Sequence, residues 1–171
     1  MITIEELTPA NFELVAGWLS RPETNRWLTA EWRGRVAASV VVAMAVRNRK
    51  NRLFLVRCSG QACGLTALAD IDTADRTAML WYVLGEHTLS GRGIMLAVVK
   101  QLASLCFEQL GLASLYVWVM ADNMPSRRMV QKAGFREAGR IRCAACSAGR
   151  QVDRIFISIF FRVSFIDDAD S

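Results

Sequence analysis

Residues 81–94 read WYVLGEHTLSGRGI, and they open onto a long amphipathic stretch. An apolar run from Leu80 to Leu84 reads as a strand. A loop with two glycines, Gly91 and Gly93, follows, and then a helix is expected from Ile94 to about Leu110. In that helix Met95, Val98, Val99, Leu102, Leu105 and Cys106 recur at three- and four-residue steps and make one apolar face. Lys100, Ser104 and Glu108 make the polar face. The first amides of a helix have no partner inside it, and the dipole there favours negative charge. Strand, glycine loop and helix N-terminus therefore suit a phosphate-bearing ligand, with Arg92 between the glycines as a counter-charge. A plain strand-to-helix turn would use the same residues. The loop matches neither GxxxxGK(S/T) nor GxGxxG, so nucleotide triphosphate and dinucleotide readings start poorly.

Working outward, the chain has 171 residues, enough for one domain with a sizeable core. It is 53% hydrophobic and 22% charged, which fits a globular chain and not a disordered one. The longest apolar run, Val36 to Val46, is too short to span a bilayer. The N-terminus, MITIEELTPANF, lacks a basic region followed by an apolar core, so no secretory signal and a cytoplasmic location are expected. The net charge is +5, carried mostly by arginine, which suits an anionic ligand. The basic residues are scattered and no recognition motif accompanies them, so nucleic acid is not an expected partner. Five cysteines, an odd number, are read as reduced thiols. Cys143 and Cys146 form a CxxC, but Cys58 and Cys63 are spaced differently and His87 is the only histidine, so no metal is expected.

Upstream, residues 2–7 alternate as a first strand, and Asn11 is placed to cap a helix reaching about Leu19. Pro22 breaks that pattern. Residues 36–48 are so evenly apolar that periodicity does not separate helix from strand; a helix is the reading adopted. Strands follow at 53–57, 62–69 and 77–84, with ADIDTADR as a polar hairpin turn. Downstream, Leu115 to Met120 is uniformly apolar, as for a parallel strand buried on both faces. Pro125 starts a short helix to Lys132 that Gly134 ends. Residues 135–146 and 151–161 form a closing hairpin turning at Ala148-Gly149. Residues 1–165 are read as a single domain and 166–171 as an acidic tail.

Two ordered motifs carry a family resemblance. TLSGRGIM, residues 88–95, resembles the Gln/Arg-x-x-Gly-x-Gly/Ala loop of the GNAT acyl-CoA N-acyltransferases. Further on, LYVWVMADNMPSRRMVQKAGFREAGRIR resembles the strand, N-x-x-S, helix, G-F signature of the branch holding ribosomal-protein and amino-sugar N-acetyltransferases. Asn123, Ser126, Gly134 and Phe135 stand at the matching places. The likeness covers roughly residues 60–160. It implies an α/β (α+β) GNAT fold: a mixed, mostly antiparallel sheet of six to seven strands with a splayed parallel pair, flanked by about four helices. It also implies acetyl-CoA or another acyl-CoA as co-substrate, with no metal.

The resemblance also assigns roles. The backbone of Trp81, Tyr82 and Val83 would pair with the pantetheine arm. The amides of Leu89, Ser90, Gly91, Arg92, Gly93 and Ile94 would cradle the pyrophosphate. Asn123 would bond the pantetheine, and Arg127 or Arg128 would meet the phosphates. Thr88 departs from the family's Gln or Arg, and Val130 stands where many relatives have a tyrosine acid. Ser126 either donates near the sulfur or caps its helix. The glutamate that some ribosomal-protein acetyltransferases place after the G-F motif is replaced here by Ala145. Asp70, at the end of a central strand, is the first candidate base, with Glu86 and His87 next. Asp70 would equally serve as a turn residue bonding its own backbone. Asp153 organises either the acceptor side or only the hairpin.

The expected acceptor is a primary amine on a small molecule, including a nucleotide-linked amino sugar, or a protein N-terminus; Ala145 favours the small molecule. A non-catalytic acyl-CoA-binding module and an acyltransferase fed by an acyl carrier protein are the rival readings. Aromatic residues near the N-terminus permit a homodimer.

Overall fold

The computed structural model describes residues 1–30, 32–147 and 149–161. The expected tail, 166–171, and Ala148 of the expected turn lie outside them. The chain runs β1 (Ile2–Glu6), α1 (Phe12–Ser20), α2 (Pro22–Asn25), α3 (Ser39–Arg47), β2 (Arg52–Cys58), β3 (Gln61–Asp72), β4 (Thr77–Leu84), α4 (Ile94–Glu108), β5 (Ser114–Met120), α5 (Met124–Lys132), β6 (Arg136–Ser147) and β7 (Arg150–Phe160). The strands form one seven-stranded sheet in the order β1-β2-β3-β4-β5-β7-β6. Every neighbouring pair is antiparallel except β4 and β5. This is the expected α/β architecture. The helix beyond the expected four is α2, a single turn that Pro22 starts because proline needs no amide partner at a first helical position.

Strand alternation sends successive side chains to opposite faces. Leu53, Leu55, Leu65, Ala67 and Val83 pack beneath α1 and α3. Phe54, Leu68, Leu80, Leu115, Val117, Ile155 and Ile157 pack beneath α4 and α5. The apolar face of α4 is as the periodicity predicts: Met95, Val98, Val99, Leu102 and Cys106 are buried. On its polar face Ser104 donates to Glu108 at 2.6 Å.

Two local expectations are corrected. Asn11 occupies the N-cap of α1 but makes no capping bond; its amide donates to Thr8 Oγ1 at 3.4 Å instead. β5 is fully buried on one face, and on the other only at its end, Met120. Leu115, Val117 and Val119 are covered by α4 and α5, whereas Tyr116 and Trp118 are half-buried on the other face. No β5 residue belongs to the core cluster beneath α1 and α3, which those helices build over β2 to β4.

The site depends on how β4 and β5 part. They pair in parallel over three residue pairs only, Thr77 with Ser114, Ala78 with Leu115 and Met79 with Tyr116. Beyond that, each strand stays with its outer neighbour. β4 remains on β3 through Gly64–Leu84, and the Gly85 and Glu86 amides then donate to the Cys63 carbonyl at 2.8 and 3.0 Å. β5 stays paired with β7 along its whole length. A gap opens between residues 80–84 and 117–120.

Candidate active site

A cavity of about 780 Å³ passes through that gap and touches both faces of the sheet. Its size is that of a pocket for a small molecule or cofactor. On the α4/α5 side it is lined by Tyr82, Leu89, Ser90, Gly91, Gly93, Ile94, Asn123, Ser126, Arg128 and Lys132. On the other side it is lined by Glu23, Thr24, Trp27, Trp32, Trp81, Trp118 and His87.

Gly91 and Gly93 take φ of 79° and 72°, which favours glycine at both positions. Gly93 caps α4 in that left-handed conformation. The amides of Gly91, Arg92, Gly93 and Ile94 have no hydrogen-bond partner among the described residues. A row of unpaired donors at a helix N-terminus is an anion site when a second group shares the charge. Arg128 and Lys132, one turn apart on α5, line the same cavity. The Arg92 side chain is exposed and does not line it. Arg127 is engaged elsewhere, donating to Glu137 and to the Ala121 carbonyl at 3.3 Å each. Of the two expected arginines, Arg128 is the one brought to the cavity.

β4 offers its backbone to the gap. The Trp81 carbonyl accepts from Thr66 Oγ1, on the β3 side, at 3.2 Å. Alternation therefore turns the Tyr82 N–H and C=O toward the gap, where β5 no longer pairs with them. The residues fit an extended, phosphate-tailed ligand such as coenzyme A: free backbone groups for its amide arm, then free loop amides and two cations for its phosphates.

The Tyr82 hydroxyl lies 2.5 Å from Ser126 Oγ. Ser126 is fixed because its amide donates to Asn123 Oδ1 at 3.3 Å, which caps α5. Burial pushes the Tyr82 phenol up to about 12, against a smaller opposing effect of the Ser126 hydrogen bond. Tyr82 is therefore a neutral hydroxyl at any physiological pH. Serine and tyrosine are 44 positions apart in sequence, so no local motif announces the pair.

Two of the three expected bases are not brought to the cavity. Asp70 is exposed, in a bulge between β3 and β4 with φ of 50°, at the end of β4 where that strand still pairs with β5. Glu86 Oε1 accepts from Trp18 Nε1 at 3.1 Å, and the neighbouring Gly85 packs on the Trp18 ring. Neither lines the cavity. His87 does: its Nε2 lies 3.3 Å from Thr24 Oγ1 and 3.8 Å from Glu23 Oε1. Asp153 organises the β6–β7 hairpin, accepting from the Cys143 amide at 3.0 Å and from Arg140 at 3.4 Å. Cys143 and Cys146 are free and exposed, and no cluster of three metal-ligating side chains occurs among the described residues.

A splayed parallel pair, a glycine loop feeding a helix and a capped serine helix together define a fold that takes an extended, phosphate-tailed ligand between two strands. The chain belongs to the acetyltransferase (GNAT) domain family, whose match covers residues 2–136. A Bacillus subtilis (strain 168) protein that carries the name ribosomal N-acetyltransferase YdaF is 28% identical over 103 residues, 60% of this chain and 56% of that protein. Spermidine N(1)-acetyltransferase of Escherichia coli (strain K12) is 24% identical over 115 residues, 67% of this chain and 61% of that protein. The matches thus span under two thirds of these relatives. Among solved structures, spermidine N-acetyltransferase from Vibrio cholerae in complex with CoA and spermine superposes with a TM-score of 0.84 at 16% identity. That superposition covers 93% of this chain and 95% of the other. It supports the fold.

Proposed function

We propose that this protein is an N-acyltransferase that moves an acetyl group, or another acyl group, from CoA to a primary amine in a single ternary complex. The observation that carries the reading is the cavity through the strand gap, with free loop amides on one side and the Tyr82–Ser126 hydroxyls beside it. Acyl-CoA lies along β4 with its pyrophosphate on Gly91–Ile94, Arg128 and Lys132. The Ser90 and Leu89 segment closes that end. The amine enters from the face of α1 and α2, and its nitrogen attacks the thioester carbon. The carbon–sulfur bond then breaks, and the nitrogen's proton leaves to His87 or through it to solvent.

Magnitudes decide what the hydroxyl pair does. A phenol near 12 is a much weaker acid than a thiol near 8.5. Leaving a tyrosinate beside a neutral thiol costs roughly 5 kcal/mol. The pair therefore donates a hydrogen bond to the departing sulfur through Ser126, and does not end up ionised. This stabilises charge that exists only as the bond breaks. The thiolate takes its proton from solvent. Five unpaired cysteines support a reducing, cytoplasmic setting for one catalytic domain.

Thiol release from acetyl-CoA in the presence of a panel of primary amines tests the reading. Amine-dependent release that falls in His87→Ala, but persists in Asp70→Asn and Glu86→Gln, is expected. Tight acetyl-CoA binding with no release for any amine would favour a non-catalytic binding module. Release from an acyl carrier protein but not from CoA would change the donor.

A further inference from the structure

The far side of the cavity is walled by tryptophan. Four of the chain's five tryptophans, Trp27, Trp32, Trp81 and Trp118, line it. The fifth, Trp18, shows what a purely structural tryptophan looks like here: it is 1% exposed in the core. Trp27, Trp81 and Trp118 are half-buried by contrast. Two of these half-buried rings are backed by another aromatic ring. Trp81 packs against Trp32 with centroids 6.2 Å apart, and Trp118 packs against Phe156 at 4.6 Å. Alternation along β4 and β5 puts Trp81 and Trp118 on the face opposite Tyr82, Val117 and Val119. Donor groups and tryptophan wall thus face each other across the strand gap.

Charge sharpens the identity of what the wall receives. Among the described residues lining the cavity, Glu23 is the only carboxylate, and it sits beside His87 at 3.8 Å. Arg26 lines the cavity too, with its guanidinium 4.6 Å from the centre of the Trp27 ring. Among the described lining residues a polycation would meet one carboxylate and a resident arginine. A flat apolar body would meet two half-buried indoles, Trp81 and Trp118, each backed by a second aromatic ring.

We propose that the acceptor is a monoamine borne on an aromatic ring system, such as an arylalkylamine, that stacks on Trp81 and Trp118 and extends its amine into the strand gap. The proposal rests on the acyl-transfer reading above. The acetyl carbon exchanges its bond to sulfur for one to the amine nitrogen; the nitrogen gives up one proton, to His87 or through it to solvent, and the released thiolate takes one up from solvent.

The test has two arms. Calorimetric titration with acetyl-CoA establishes donor binding independently of any amine. Thiol release is then compared for 2-phenylethylamine, tryptamine, hexylamine and spermidine. The expected result is kcat/KM at least ~10-fold higher for the two aromatic amines than for hexylamine or spermidine. Trp118→Leu should reduce that preference to roughly threefold or less through KM, with acetyl-CoA affinity unchanged, and Trp118→Phe should retain most of it. Hexylamine or spermidine equal to or better than the aromatic amines, or no release with any of the four while acetyl-CoA binds, overturns this proposal and leaves the donor site standing. Failure of acetyl-CoA to bind overturns the acyl-transfer reading and this proposal together.

Discussion

Removing the Tyr82 and Ser126 hydroxyls, singly and together, tests the chemistry assigned to them. Ser126→Ala deletes the hydroxyl proposed to face the leaving sulfur. It spares the α5 cap, because Asn123 accepts from the Ser126 backbone amide. The loss should resemble that of one donor in an oxyanion hole, roughly 10²- to 10³-fold in kcat. Tyr82→Phe leaves the serine in place but takes away its 2.5 Å partner. About 10-fold is expected, or 1.4 kcal/mol, with acetyl-CoA affinity little changed because the Tyr82 backbone faces the gap unaltered. Stability should change by about 1 kcal/mol or less, since losing one hydrogen bond is offset by no longer burying the phenol. The double variant is decisive. If tyrosine acts only through serine, its kcat should lie within about threefold of Ser126→Ala alone. The assay is thiol release at saturating acetyl-CoA and amine, with donor affinity measured separately. Wild-type kcat in Ser126→Ala, or losses that multiply in the double variant, would refute the relay.

Three further outcomes follow from the geometry. Gly85→Ala places a Cβ 2.2 Å from the Trp18 ring, so α1 and β4 must shift; a loss of about 3 kcal/mol or more in urea denaturation is expected. Gly93→Ala meets nothing within 4 Å but keeps a φ of 72°, so only backbone strain of about 1–2 kcal/mol applies; acetyl-CoA affinity should fall while kcat at saturation holds. Stability should decline at high pH because of Tyr82: the unfolded phenol releases its proton near 10.0 and the native one near about 12. The native state binds more protons across that window, so stability is intact below it and falls as pH rises through it, by about 3 kcal/mol. Tyr82→Phe should remove that part of the decline in alkaline denaturation curves.

The sequence was most informative where local pattern and function coincide. Strand β4 has the predicted bounds, and α4 starts where predicted, because a polar turn, an apolar run and a glycine pair bracket them. Asn123 and Ser126 were legible as a spaced motif. Nearness in sequence to the loop and strand end is what singles out the base candidates. Asp70 and Glu86 fail that criterion in space, since one lies at the wrong end of β4 and the other is held by Trp18. The Tyr82–Ser126 contact and the tryptophan wall depend on which face of a strand each side chain takes and on long-range packing. For Trp118 the alternation along LYVWVM would have placed it opposite Val117 and Val119, had β5 not been read as buried on both faces. For Trp27 and Trp32, in a segment that is mostly turns, no periodicity exists to read.

Residues 80–94 are proposed to form the donor site. The most direct measurement is amide hydrogen exchange with and without acetyl-CoA. The Tyr82 amide, facing the gap, and the unpartnered amides of Gly91, Arg92, Gly93 and Ile94 should gain protection together, while the outer strands β1 and β6 stay unchanged. Acetyl-CoA binding that leaves those five amides exchanging at their free rates would contradict the account.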